Sequence, residues 1–165
     1  MRRVFVYGSL MNPVEVAREL GVDPSEVRER YGVRVAVLRG YRRVFNKRSL
    51  KWGAALNLEC TGKPGDEVWG VLLEVSEEEY ERIKRREVNY QPKPVKVIVG
   101  GEPVDAVTFI SCKRAPPSAK PSKRYVEIVL KGAEYWGIKE KVLENLYLAD
   151  GTPLANSQLF KHHVD

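Results

Sequence analysis

The sequence predicts an α+β fold in which a mostly antiparallel sheet is partly closed into a barrel. Three observations carry that expectation. Six or so short segments read as strands, and turn signals separate several of them. The helical segments between them follow no fixed period, which argues against the strand–helix alternation of a parallel sheet. One end of the strand set is rich in loops, an arrangement that suits closure of a small sheet.

The chain opens on Val4-Phe5-Val6-Tyr7-Gly8-Ser9-Leu10-Met11. An apolar run without alternation suits a strand buried on both faces, at the middle of the sheet. Gly8 permits a tight turn or the close approach of a ligand. The amides of Gly8, Ser9 and Leu10 then form an anion or oxyanion site, or else these residues are an ordinary strand-to-helix turn. Asn12 caps a first helix with Pro13 at its first position, Glu15 three residues after the cap, and Gly21 at its end. Asp23, Pro24, Glu26 and Gly32 repeat that grammar for a second short helix.

Residues 33–38 and 41–46 read as strands, followed by a basic loop over 47–51. Residues 52–60 form another, whose small side chains permit close approach from one side. After a turn at 61–65, residues 67–75 are the most apolar strand. Ser76 and Glu79 form a capping box for a helix running to about Glu87. Strands at 95–99 and 104–110 flank the hairpin signal Gly100-Gly101-Glu102-Pro103. A proline-rich loop at 115–121 precedes a helix over 123–136, capped by Ser122, with Tyr125, Ile128, Val129, Gly132 and Trp136 on one face. A further helix spans 139–148. The expected organisation is a single domain over residues 1–138, on which the helix and polar tail of residues 139–165 pack.

The chain has 165 residues, 43% of them hydrophobic and 30% charged, a composition that suits a soluble globular domain. No apolar run approaches membrane-spanning length, and Met1-Arg2-Arg3 leads into a strand rather than a signal core, so a cytoplasmic location is expected. Cys60 and Cys112 sit in or beside strands and are expected to be buried free thiols. The histidines, His162 and His163, stand alone in the tail, so no metal site is expected. The net charge of +6 and pI near 9.3 raise nucleic acid as a partner, but acidic and basic residues are interleaved. A salt-bridged surface of the heat-adapted kind fits better.

The helix from Ser76 holds an anomaly. Tyr80, Ile83 and Glu87 fall at i, i+3 and i+7, so a carboxylate shares the apolar face at the C-terminal end. Burial and the helix dipole both push its pKa upward, as suits a group that takes and returns a proton. Periodicity leaves a second reading open, in which the helix ends earlier and Glu87 points to water or pairs with an arginine.

Phe5-Val6-Tyr7-Gly8-Ser9-Leu10 resembles the opening motif of the gamma-glutamyl cyclotransferase-like family. Further matches follow in order: Gly40-Tyr41 with Phe45-Asn46 and Ser49, Trp52 to Leu56, Val68 to Leu72, Arg86-Glu87-Val88-Asn89-Tyr90, and Pro121-Ser122 with Tyr125 and Gly132-Ala133. The resemblance spans residues 3 to 138. It implies a small mixed β-barrel flanked by helices, with a pocket at one end lined by the turn from Tyr7 to Leu10. It also implies that Glu87 is the catalytic acid/base and that Gly8, Ser9, Leu10, Tyr7, Tyr90 and Tyr125 bind substrate. Many members have Asp at the position of Lys84 and Gly at that of Val88, so the chain looks like a different subgroup, and its substrate stays open.

The implied reaction is internal: the α-amine of a γ-glutamyl amino acid or amine attacks its own γ-carbonyl and releases 5-oxoproline. No cofactor is implied, and the oligomeric state is left open. On the residues alone, Tyr7, Tyr90 and Tyr125 also suit core tyrosines with satisfied hydroxyls. The alternative function is a non-catalytic ligand-binding or regulatory module, whose basic stretches at 39–51 and 113–124 would serve a protein or an acidic ligand.

Overall fold

A computed structural model describes residues 1–158 of the chain; His162, His163 and the end of the tail lie outside the described residues. The strands are β1 (Arg2–Val6), β2 (Arg34–Arg39), β3 (Tyr41–Ser49), β4 (Gly53–Cys60), β5 (Glu67–Val75), β6 (Gln91–Val99), β7 (Glu102–Ile110) and β8 (Tyr147–Leu148). The helices are α1 (Pro13–Leu20), α2 (Val27–Arg30), α3 (Glu77–Arg86), α4 (Lys123–Tyr135) and α5 (Lys139–Leu143).

Five strands form a barrel in the order β1-β5-β2-β6-β7. Every neighbour pair is antiparallel except β1 with β7, which meet in parallel at Val4 and Val107. That contact closes the barrel, which the sequence had led us to expect only partly closed. The β1 strand therefore has a neighbour on each side, and Val4, Phe5 and Val6 are all buried. A second sheet, β4-β3-β8, packs beside the barrel.

Four stretches depart from expectation for physical reasons. The β6 strand begins at Gln91 rather than 95, despite Pro92 and Pro94. It meets β2 only at Val37 and Ile98, so its first half is an edge on that side, where a proline costs no ladder hydrogen bond. The expected loop at 47–51 is in part strand, because β3 shifts register between Val44 and Lys47 and runs on to Ser49. The expected helix at 139–148 stops at Leu143. There the Asn145 amide donates to Tyr41 O (3.0 Å) and Glu67 O (2.8 Å) and accepts from Arg43 N (3.2 Å), and the chain leaves extended to pair with β3. The second short helix is a 3-10 turn, Pro24–Glu26, leading into the single turn of α2.

Both cysteines are free, but they are exposed and not buried as expected. Cys60 ends β4 and Cys112 follows β7, so each stands at a strand end rather than in its packed interior. No helix among the described residues is long and apolar enough to cross a membrane.

Candidate active site

The β1 strand runs out into Tyr7 and Gly8, and the chain then winds through a 3-10 turn, Ser9–Met11, into α1. Asn12 fixes the junction twice. Its Oδ1 accepts from Val14 N (3.0 Å) as the helix cap, and its Nδ2 donates to Ile128 O on α4 (3.0 Å). Trp136 Nε1 adds a bond to Met11 O at 2.7 Å. Gly132 lets α4 come this close, since a Cβ there would lie 2.6 Å from Asn12 N.

From the other side Arg43, fully buried on β3, donates from Nε to Tyr7 O (2.9 Å) and from Nη2 to Trp69 O. Burial pulls its pKa down to about 9, so it keeps its charge at neutral pH. In a trans peptide the carbonyl and the following N–H point opposite ways. With Tyr7 O turned to Arg43, the Gly8 amide faces away from it. Among the described residues nothing accepts from the amides of Gly8, Ser9 or Leu10.

Tyr7, Gly8, Ser9, Leu10, Glu87, Tyr90 and Tyr125 line one cavity, with the apolar Phe5, Val6, Leu56 and Phe109. Tyr7 donates its hydroxyl proton to Phe109 O (2.6 Å) and Tyr90 donates to Leu56 O (2.6 Å). The Tyr125 oxygen instead accepts from Leu56 N (3.0 Å), which leaves its proton free for a group in the cavity. Burial pushes all three phenols well above the usual range, so each is a neutral donor.

The α3 helix ends at Arg86, one residue short of expectation, and Glu87 is its C-cap, with Glu87 N bonded to Ile83 O at 3.0 Å. Tyr80 and Ile83 are buried on the face the spacing marked. Glu87 makes no ion pair among the described residues; its neighbour Arg86 turns to Ser9 Oγ (3.1 Å) and Glu15 (2.9 Å) instead. Burial raises the Glu87 pKa to about 7, Arg86 and Lys47 oppose the rise, and Glu19 adds to it. The following residue but one, Asn89, sits at φ 67°, and its carbonyl accepts from Ser111 Oγ at 2.8 Å. Ser111 is itself held by Asn57 through bonds of 2.8 and 3.0 Å, so the segment carrying Glu87 and Tyr90 is tied to β4.

Sequence reasoning missed three supporting groups. Arg43 and Lys47 are buried within a run, residues 43–47 of β3, that is buried throughout, so no alternation marks them. Glu15 looked like a helix-start acid, but it is buried and joins Arg86 to Arg18 (2.5 Å). Burial pushes its carboxyl up, and the two arginines outweigh this and hold it below its ordinary value. Ser49 shapes the β3–β4 turn by accepting from Trp52 N at 3.0 Å. Among the described residues no three metal-ligating side chains gather.

A family model described as gamma-glutamyl cyclotransferase, AIG2-like, matches residues 4–131. No curated protein matches the sequence. Among solved structures, one described as gamma-glutamyl cyclotransferase is 24% identical with a TM-score of 0.69, over 86% of this chain and 85% of that one. YkqA from Bacillus subtilis is 24% identical with a TM-score of 0.71, over 92% of this chain but 55% of its own length. An uncharacterized protein from Homo sapiens is 22% identical with a TM-score of 0.66, over 99% of this chain and 98% of that one. At these identities the likeness to solved structures is one of fold.

Proposed function

The chain belongs to the gamma-glutamyl cyclotransferase, AIG2-like family, and from that premise we propose that it is a cyclotransferase releasing 5-oxoproline from a γ-glutamyl amino acid or amine. The observation that supports this most is an unpaired carboxyl with a pKa near 7 in one cavity with three unclaimed backbone amides. Such a carboxyl changes protonation near neutral pH, and such amides stabilise an oxygen that gains negative charge.

In the proposed reaction the Glu87 carboxylate takes a proton from the substrate's α-ammonium, and the freed amine attacks the γ-carbonyl. A C–N bond forms to close the five-membered ring, and negative charge on the carbonyl oxygen is held by amides of the turn from Gly8 to Leu10. The bond to the leaving nitrogen then breaks as Glu87 returns the proton to it, and the ring nitrogen gives up its second proton to the departing amine, so that a neutral lactam and an ammonium result. Holding amine and carbonyl in line supplies most of the rate gain, because the ring is poised to close. Tyr125 has a proton to give and acts as a donor to the bound substrate; Tyr7 and Tyr90 shape the wall. The atoms and charges balance with no cofactor.

On this reading residues 1–138 form the catalytic domain, and the residues that follow, described as far as 158, extend it through Asn145 and β8. The two free, exposed thiols suit a reducing, cytoplasmic setting. Incubation with a panel of γ-glutamyl amino acids and amines, with 5-oxoproline measured, tests the proposal. Release from at least one of them is expected. Binding without release would make the protein a ligand-binding module instead.

A further inference from the structure

The β3–β4 turn and the loop after β7 lie against each other beside the cavity. Arg48 N donates to Lys113 O (2.9 Å), Ala115 N to Asn46 O (2.7 Å) and Ser122 N to Trp52 O (2.8 Å). Residues 47–53 contain three basic side chains and residues 112–124 contain five, and neither stretch holds an acidic one. Glu59 takes Arg114 at 3.3 Å, and the charge of Lys120 acts on Asp150. Lys47, Arg48, Lys51 and Lys113 make no ion pair among the described residues.

Lys47 backs the cavity wall directly, and Lys51 does so through one further ring. Lys47 Nζ stands 5.1 Å from the centre of the Tyr90 ring, and Lys51 Nζ stands 4.7 Å from the Trp52 ring. Trp52 in turn lies 5.1 Å from Tyr125, and both Tyr90 and Tyr125 line the cavity. Lys47 is only 8% exposed. A buried ammonium is unfavourable, and burial lowers its pKa while the Glu87 charge, which acts on it without a direct ion pair, opposes the fall. An arriving anion relieves that cost.

We propose that this basic rim selects γ-glutamyl compounds whose leaving group is negatively charged, such as those of acidic amino acids or peptides, over compounds that release a cationic amine. The inference rests on the cyclotransferase reading. With the γ-carbonyl at the turn, the leaving group passes Tyr90 and Tyr125 and meets Lys47, Lys51, Arg48 and Lys113. Their summed field draws in an anion and repels a cation.

The test compares γ-glutamyl-glutamate, γ-glutamyl-glutamine and γ-glutamyl-lysine, the first two nearly equal in shape. At low salt kcat/KM should fall in that order, with roughly tenfold or more between the ends. The spread should shrink at about 1 M salt, where the screening length is about 3 Å. The exposed double substitution Arg48→Glu with Lys51→Glu should reverse the order. Equal rates for the three, or an order that the reversal leaves unchanged, would overturn the inference while 5-oxoproline release kept the cyclotransferase reading. No release from any of the three would overturn the inference, and no release from a γ-glutamyl amine run beside them would overturn the cyclotransferase reading as well.

Discussion

A carboxyl that changes charge near pH 7 leaves its mark on both rate and stability. In the proposed reaction Glu87 begins as the carboxylate, so kcat/KM should rise with pH through about 7. It should fall again where the substrate ammonium, with a reference pKa of roughly 8, loses the proton that the leaving group needs. Glu87→Gln preserves shape and should lower kcat by roughly 10²- to 10⁴-fold, with KM little changed and the rising limb lost. The same group affects folding. Its pKa in the folded protein lies above the ordinary value of 4.5, so its support for folding is complete below pH 4.5 and disappears as pH rises through about 7. The full swing corresponds to about 3 kcal/mol. Denaturant titrations from pH 4 to 8 should show wild type losing stability relative to Glu87→Gln over that window. A flat difference, or near-full activity in the variant, would place the proton carrier elsewhere.

At the scale of elements, the site depends on how closely α4 approaches the turn after β1. A methyl group at Gly132 would meet backbone on the other side, Met11 C at 2.8 Å as well as Asn12 N, and neither segment can yield as a flexible side chain would. Gly132→Ala should therefore cost roughly 1–3 kcal/mol in denaturant titrations. It should also raise KM, because the Gly8 to Leu10 amides move with the turn. Elements of this kind were readable in advance where local chemistry decides them. The capping box at Ser76 and Glu79, the apolar run of β1 and the spacing of Tyr80, Ile83 and Glu87 needed no partner to be recognised. Elements that exist only through a distant contact were not readable. The β8 strand forms because Asn145 is captured by β3 and by the start of β5, and β6 tolerates two prolines because β2 leaves it half unpaired. Arg43 is the corresponding case within the site. The strand pattern of residues 41–46 holds no sign of its role, because the carbonyls of Tyr7 and Trp69 that receive it come from elsewhere in the chain.

For the whole molecule, many of the 28 basic residues meet the 22 acidic ones in surface ion pairs, and among the described residues Lys47, Arg48, Lys51 and Lys113 beside the cavity are some that do not. Association with duplex DNA, followed by fluorescence anisotropy, should be weak at low salt, lost near 0.15 M and indifferent to sequence. Tight, selective binding at that salt would make nucleic acid a partner after all. The way the barrel closes also sets an order of events. The β1 strand precedes both of its neighbours, β5 and β7, and the Tyr7 hydroxyl finds its acceptor 102 residues along the chain. Contacts that remote form slowly, because a long loop must be closed before they reward it. On the ribosome, the Tyr7 to Leu10 segment waits until the chain has grown by the 102 positions from Tyr7 to Phe109 before its second neighbour is there to receive it. A nascent chain stalled before β7 would hold the Tyr7 to Leu10 segment without Phe109 or Tyr125 beside it, so the cavity is complete only after β7 has closed the barrel and α4 has brought Tyr125 to the wall.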